Sequence, residues 1–351
     1  MIKKIFFLLT FQFLFISLFC QVRAIWVTPW DIDTKKKIEL VIKDMIKYNF
    51  NTLIAEVRYR GDALYTPNRI NSDYTNEENR YKTLEGNDFD PLLYLSQICK
   101  KNNIKLIAWV TTFVITSHEV DNIGLDHPYF LYYHWVTTDS NGNKMKYFER
   151  EGAFFDPGIP QVRDYLFNIF MDIVANYEID GFQLDYIRYP NTFYGYNPLS
   201  LKQYENGEFN SWEEYKINAI SGFVKRFYNE AKRVKPSLEI SAAVFSNYID
   251  AVQTHSQKWL DWIKDGYLDK AYVMSYTKED RLVKRDLEFI SFQGVDSNIV
   301  FGLRAWSDDG KYPVSNINKK IKIVQKYDFI GISFFSYRGI KDHNYFNGLK
   351  Y

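Results

Sequence analysis

The run DGFQLDYI, residues 180–187, alternates between apolar and polar side chains from Phe182 to Asp185. Successive side chains of a β-strand point to opposite faces, so Phe182 and Leu184 share one face and Gln183 and Asp185 share the other. We predict that the apolar pair packs against helices, while Gln183 and Asp185 point into the interior of the sheet. Asp185 then lies towards the end of its strand, at the mouth of the sheet.

Seven other β-rich runs alternate with helical patterns along the chain. The eight predicted strands cover residues 23–28, 52–58, 105–111, 180–187, 238–245, 271–276, 299–304 and 329–337. Helical patterns cover residues 34–48 and 212–234, and two further helices open at Pro91 and Pro160. Strands that alternate with helices pair in parallel through right-handed crossovers, and eight such units predict an α/β fold, the closed (β/α)8 TIM barrel. A doubly wound sheet is the weaker alternative, because no Gly-rich phosphate-binding turn follows the first strand.

The long insertions fall almost entirely after strands. They cover residues 59–88, 112–157 and 189–210, whereas the turns from helix to strand are short. In a TIM barrel the loops after the strands form the face that carries active sites. The loop lengths therefore predict a deep cleft at the C-terminal face of the barrel.

The same alternation along the other strands predicts that further polar and aromatic side chains point towards the mouth of the barrel. The residues predicted there are Asp185, Glu56, Arg58, Trp109, Tyr276 and Arg304. Carboxylates flanked by arginines and aromatic rings are typical of glycosidic cleavage, in which one acid protonates the leaving oxygen and another carboxylate attacks or activates water. We predict Asp185 and Glu56 as catalytic residues. The predicted substrate-binding residues are Arg58, Trp109, Arg188, Tyr276 and Arg304. A structural alternative is a buried ion pair of Glu56 with Arg58 or Arg304 that only fills the barrel.

Other classes of site lack their sequence motifs. The chain has five histidines, no pair of which has the spacing of zinc ligands on a helix. It also has no Gly-x-Ser-x-Gly elbow, no dinucleotide fingerprint and no phosphate loop. Lys and Arg number 44 and Asp and Glu 43, so there is no basic excess for nucleic acid or an anionic membrane. We therefore expect a glycan partner, with no metal, no cofactor and no nucleic acid.

The first 20 residues form a different kind of segment. Lys3 and Lys4 precede an almost wholly apolar run from residue 5 to residue 19, which has the length of a secretory signal and is short for a membrane span. We expect residues 1–20 to be a signal peptide and residues 21–351 to be an exported barrel domain, periplasmic, secreted or at the cell surface. A lipid anchor at Cys20 is the alternative, which the bulky Phe19 disfavours. The other cysteine, Cys99, is predicted in the core of a helix pattern.

Ordered motifs run through the chain after this segment. They are RAIWV at residues 23–27, NTLIAEVRYRGDALY at 51–65, DPL at 90–92, IAWV at 107–110, DPGIP at 156–160 and DGFQLDYIRYP at 180–190. Together and in this order they resemble the glycosyl hydrolase-like 10 domain family, over most of the mature chain and most strongly between residues 23 and 190. The resemblance implies a TIM-barrel glycoside hydrolase of bacterial envelopes, and some relatives resemble enzymes that cleave peptidoglycan glycan strands.

The family pattern leaves the second carboxylate open. Many relatives carry Gln at the position of Glu56 and a second Asp at that of Tyr186. The candidates for the second carboxylate are Glu56, Asp31, Glu149, Glu151, Asp308 and Asp309. The leading hypothesis is a glycoside hydrolase that cleaves an envelope or extracellular polysaccharide by carboxylate chemistry. The missing obvious second acid supports a catalytically inactive, glycan-binding barrel as the alternative, and hydrolysis of a non-glycan envelope bond is a third reading.

Overall fold

The computed structural model describes residues 21–70, 73–117, 123–148 and 151–351. The predicted signal peptide, with its alternative of a lipid on Cys20, and the candidate carboxylate Glu149 lie outside the described residues. No helix in the described ranges is both long and apolar enough to cross a bilayer.

One sheet closes into a barrel. Its strands are β1 (Val22–Val27), β2 (Thr52–Tyr59), β3 (Asp62–Ala63), β4 (Lys105–Thr111), β5 (Gly181–Asp185), β6 (Glu239–Phe245), β7 (Lys270–Ser275), β8 (Ile299–Arg304) and β9 (Gly331–Phe335). The sheet runs in the order β1-β9-β8-β7-β6-β5-β4-β2-β3, and β1 also pairs with β2, so every strand except β3 belongs to a closed parallel ring. The short β3 adds antiparallel to the end of β2. The ring confirms the predicted TIM barrel and excludes the doubly wound alternative.

Helices connect the strands and cover the outside of the barrel. The α-helices of the described residues are α1 (Lys35–Lys47), α2 (Pro91–Lys101), α3 (Pro128–Leu131), α4 (Pro160–Asn176), α5 (Pro198–Glu205), α6 (Trp212–Val234), α7 (Tyr248–His255), α8 (Trp259–Lys264), α9 (Asp280–Phe292), α10 (Val314–Val324) and α11 (Tyr337–Asp342). Side-chain caps fix several starts: Thr34 accepts a hydrogen bond from the amide of Lys37, and Asp90 accepts one from the amide of Leu93. The helices predicted over residues 34–48 and 212–234 agree with α1 and α6 to within a residue at each end, and the starts predicted at Pro91 and Pro160 are those of α2 and α4.

The strands separate two apolar clusters. The cluster between barrel and helices includes Leu53, Ala55, Val57, Cys99, Phe182 and Leu184. The cluster inside the barrel is formed by Ala24, Trp26, Ile54, Ile107, Trp109, Tyr272 and Val300. Gln183 also points inward, because the indole of Trp26 donates a 2.7 Å hydrogen bond to its amide oxygen. The alternation predicted for the fourth barrel strand is thus confirmed, as is the burial of Cys99.

Two predicted strands extend two residues too far at their carboxyl ends. β5 stops at Asp185, because the next residue, Tyr186, has a positive φ of 50° that ends the extended backbone. β9 stops at Phe335, and Ser336 instead caps the short helix α11. Asp185 is therefore the last residue of its strand and lies at the mouth of the barrel.

Candidate active site

A cleft of about 680 Å³ opens at the carboxyl ends of the barrel strands. Eight of the 20 residues that line it are aromatic, and their rings belong to Trp26, Trp30, Tyr59, Trp109, Tyr186, Phe245, Tyr276 and Phe335. Its charged groups are Glu56, Arg60, Glu151, Asp185, Arg188 and Arg338. Concave, largely apolar surfaces with a few convergent charges are typical of ligand sites.

Asp185 lies in this cleft with 9% of its surface exposed. The backbone amide of Tyr186 donates a 2.7 Å hydrogen bond to Oδ1, and the indole of Trp109 donates a 3.0 Å bond to Oδ2. Burial raises the pKa of Asp185 to about 6, and the amide of Tyr186, the charge of Arg188 and the indole of Trp109 act in the opposite direction. At neutral pH the group is therefore mainly an oriented carboxylate.

Glu56 comes from β2 and is more deeply buried, at 3% exposure. Among the described residues, none forms a hydrogen bond or an ion pair with its carboxyl group. Burial raises the pKa of Glu56 well above its ordinary value, Arg60 opposes this rise, and the negative charge of Asp185 adds to it. A carboxyl group in these surroundings favours the neutral, protonated form.

Strand register relates these two carboxyl groups. Glu56 pairs with Trp109 of β4, and Trp109 pairs with Gln183 of β5, one inward position before Asp185. Both groups therefore belong to the same inner surface, two strands apart. Burial favours the protonated form of Glu56, whereas Asp185, with a pKa raised to about 6, is still mainly ionised at neutral pH. Acid–base chemistry with two carboxyl groups requires such a difference.

Arg58 does not line the cleft, so its predicted place at the inner mouth is wrong. The register shifts between Glu56 and Arg58, where Val57 is an extra residue and Arg58 pairs with Val110. This β-bulge turns Arg58 to the helix side. There its buried guanidinium forms an ion pair with Glu78 at 2.5 Å and lies 6.0 Å from the ring centre of Phe170 in α4. The predicted alternative of a pair between Glu56 and Arg58 is wrong for the same reason.

Arg304 is also not among the residues that line the cleft. It is the last residue of β8, and the segment after the strand folds back over its side chain. Its Nη2 lies 2.6 Å from Oδ2 of Asp308, its Nε donates to the carbonyl of Trp306, and its guanidinium lies 4.0 Å from the ring centre of Trp306. The predicted positions of Arg58 and Arg304 are thus corrected, while Asp185, Glu56, Trp109, Arg188 and Tyr276 lie in the cleft.

The other candidate carboxylates have structural partners. Asp31 is buried and forms an ion pair of 2.7 Å with Arg338. Glu151 lines the cleft and lies 3.0 Å from Arg188. Asp308 holds Arg304, and Asp309 lies 3.9 Å from Lys278. These contacts leave Glu56 as the described candidate in the cleft whose carboxyl group has no partner.

Several residues of the cleft were not predicted. Alternation along the eighth predicted strand would have placed Phe335 inward, as it placed the residues of β5. Arg60 and Tyr186 both have positive φ values, so strand alternation carries no information about their direction. Arg338 belongs to α11, which the sequence pattern assigned in part to a strand. No group of three or more His, Cys, Asp or Glu that could hold a metal ion is present among the described residues.

Comparison with protein families and known proteins gives consistent matches. The model of the family described as "Glycosyl hydrolase-like 10" matches residues 21–327. Glycosyl hydrolase YngK of Bacillus subtilis (strain 168) is 24% identical over 283 residues, which are 71% of this chain and 52% of that protein. Glycosyl hydrolase DigH of Escherichia coli (strain K12) is 24% identical over 252 residues, 64% of this chain and 54% of that protein. The chain therefore spans about half the length of the curated relatives it matches.

A solved structure has the same fold. The PgaB (BpsB) glycoside hydrolase domain from Bordetella bronchiseptica superposes with a TM-score of 0.71 and 12% sequence identity. The superposition covers 94% of this chain and 98% of that domain. At this identity the likeness concerns the barrel and not the chemistry of the cleft.

Proposed function

The chain belongs to the glycosyl hydrolase-like 10 family, and on this basis we propose that it hydrolyses glycosidic bonds with Asp185 and Glu56. The observation that carries the proposal is the contrast between these two carboxyl groups in one cleft. Asp185 is held by two hydrogen-bond donors, whereas Glu56 is buried without a partner among the described residues. Two carboxyl groups with different protonation states are what glycoside hydrolysis uses.

In this mechanism Glu56 donates its proton to the glycosidic oxygen while the bond from that oxygen to the anomeric carbon breaks. Asp185 acts as the carboxylate on the other side of the reacting carbon. It either attacks that carbon and forms a covalent intermediate, or removes a proton from an attacking water molecule. In the covalent route, Glu56 then takes a proton from the water that releases the sugar, which restores both groups.

The remaining cleft residues bind and orient the sugar. The ring of Tyr276 lines the cleft and packs on Phe335, with ring centres 5.6 Å apart. Such a supported ring can stack on the apolar face of a sugar, and we assign this role to Tyr276. Trp109 orients Asp185 through its indole and contributes its ring to the same wall. Arg188 pairs with Glu151 in the wall of the cleft, where both can bind sugar hydroxyl groups.

The proposed substrate is a polysaccharide of the bacterial envelope or the extracellular matrix, and peptidoglycan glycan strands are the first to test. Two relatives are named glycosyl hydrolases, and the similar solved structure is a glycoside hydrolase domain, which supports a glycan substrate. We also propose that residues 1–20 direct export of a domain formed by residues 21–351. N-terminal sequencing of exported protein tests this, with a start near Gln21 expected and a retained Met1 or a lipid on Cys20 contradicting it.

Turnover of purified glycan strands by the native protein and by Asp185→Asn tests the proposal. We expect reducing ends to accumulate with the native protein and a loss of roughly 10⁴-fold or more in the variant, with the barrel still folded. Binding without turnover by the native protein would instead identify a catalytically inactive, glycan-binding barrel. Native rates in Asp185→Asn would remove Asp185 from the mechanism.

A further inference from the structure

A second pocket lies beside the cleft and is joined to it at Ser246. It has a volume of about 290 Å³ and lies between the start of α7 and one face of α9. Ser246 follows directly after β6 and lines both the cleft and this second pocket. A chain molecule in the cleft can therefore continue into the second pocket without leaving the protein surface.

The lining of this pocket combines an apolar floor with a fixed polar edge. Tyr248 and Phe289 lie with ring centres 6.1 Å apart and planes inclined by 24°, and beside them Ile249 is 57% exposed. The hydroxyl of Tyr248 donates a 3.1 Å bond to Asp261, which holds the ring in place. An apolar residue as exposed as Ile249, next to a supported aromatic pair, offers a surface for the flat face of a sugar ring.

The polar edge is formed by Arg285. Its Nη2 lies 2.7 Å from Oδ1 of Asp286, and the hydroxyl of Ser275 donates a 3.2 Å bond to the other oxygen of that carboxylate. Asp286 is buried, while about half of the Arg285 side chain is exposed, so a fixed guanidinium faces the pocket. At the junction with the cleft, the hydroxyl of Ser246 forms no hydrogen bond with the described residues. Both groups can bind the hydroxyl oxygens at the edge of a sugar.

We propose that this pocket, lined by Ser246, Tyr248, Ile249, Arg285 and Phe289, is a distal subsite for a further sugar unit of the glycan chain. The inference rests on the proposed function and extends it, since it makes the substrate a polymer that leaves the cleft over Ser246. Continuity with the cleft identifies the occupant as part of the same chain. At about 290 Å³ the pocket has less than half the volume of the cleft, so it takes a shorter part of the chain than the cleft does.

The subsite is tested by measuring how a catalytically inactive variant binds glycan strands. Asp185→Asn protein is titrated calorimetrically with amidase-released peptidoglycan strands, fractionated from disaccharides to octasaccharides. We expect affinity to rise with strand length until the subsite is filled. In Asp185→Asn carrying Ile249→Ala or Arg285→Gln, the gain from the longer strands falls about fivefold, while disaccharide affinity is unchanged.

Ile46→Ala in the same background is the matched control, because Ile46 is 55% exposed and lies on α1, outside both pockets. It is expected to bind strands of every length like the parent. If the parent's affinity does not rise with length, or if the subsite variants keep the full rise, the distal subsite is refuted and the proposed function stands. If no strand binds any of the proteins, peptidoglycan is refuted as the substrate, and the subsite for its strands with it.

Discussion

The indole Nε1 of Trp109 donates a 3.0 Å hydrogen bond to Oδ2 of Asp185. This bond stabilises the ionised carboxylate and limits the rise in its pKa caused by burial. Trp109→Phe keeps an aromatic ring and removes the donor. We expect the pKa of Asp185 to rise above about 6, so that the acidic limb of kcat/KM moves to higher pH. A pH–rate profile on glycan strands measures the shift.

The matched control for that variant is Trp26→Phe, because Trp26 also lines the cleft but donates its hydrogen bond to Gln183. Its acidic limb is expected to stay at the native position, even where its rate or thermal stability falls. An unchanged limb in Trp109→Phe would mean that Trp109 acts only through packing.

Ionisation of Asp185 is expected to destabilise the folded protein. The pKa of Asp185 rises from an ordinary value of 3.8 to about 6, so between these values the folded state holds more protons than the unfolded state. Stability contributed by this group therefore falls as pH rises through that window. Asp185→Asn cannot ionise. Its free energy of unfolding relative to native protein should increase by roughly 3 kcal/mol between about pH 3.5 and pH 7, at about 1.36 kcal/mol per pKa unit. Denaturant unfolding at both pH values measures this difference, and a difference independent of pH would contradict it.

Glu56→Gln tests whether Glu56 is the acid catalyst or has another role. The substitution preserves shape, and because burial favours neutral Glu56, the melting temperature should change little. Rates on glycan strands are expected to fall by roughly 10²- to 10⁴-fold. A dinitrophenyl glycoside, whose leaving group needs no protonation, should lose far less of its rate. Equal losses on both substrates would show that Glu56 does not protonate the leaving group.

Arg58→Met is expected to destabilise the fold without changing the chemistry. It leaves Glu78 buried without its ion-pair partner, which typically costs about 3–5 kcal/mol. Adding Glu78→Leu should recover most of this loss. The control is Arg226→Met, which breaks an exposed ion pair with Asp164 and should cost less than about 1 kcal/mol. Chemical denaturation gives the free energies, and reduced kcat per folded Arg58→Met molecule would place Arg58 back in the reaction.

Two substitutions of Tyr276 test whether its ring binds sugar or only packs in the wall of the cleft. Tyr276→Ala removes the ring from the cleft wall, and Tyr276→Phe keeps it. We expect KM for glycan strands to rise about tenfold in the alanine variant and to stay near the native value in the phenylalanine variant. Steady-state kinetics with concentrations corrected for folded protein make this comparison. A lower melting temperature with unchanged KM in Tyr276→Ala would identify Tyr276 as a packing residue.

Periodicity in the sequence predicted the parts of the molecule that repeat. Alternation along β5 correctly separated Phe182 and Leu184 from Gln183 and Asp185, since an unbroken strand obeys a period of two. The prediction failed where the backbone departs from that period: at Val57, which is inserted in β2, and at Tyr186, whose positive φ ends β5.

The periodicity of the sequence does not predict contacts between residues that loops bring together. The pair of Arg58 with Glu78, 20 residues away, depends on how a long loop returns to the barrel. The enclosure of Arg304 by the segment after β8 also depends on a loop. The chemistry of the cleft could therefore be predicted for residues on the strands and not for partners supplied by the loops.

The β-bulge in β2 also affects the charge that surrounds Glu56. In a regular strand without the bulge at Val57, Arg58 would lie two positions after Glu56 on the same inner surface and direct a permanent cation towards its carboxyl group. A cation at that range lowers the pKa of a carboxyl group and releases its proton. Because the bulge directs that cation outward to Glu78, the neutral form of Glu56 stays favoured, as its proposed role as the general acid requires.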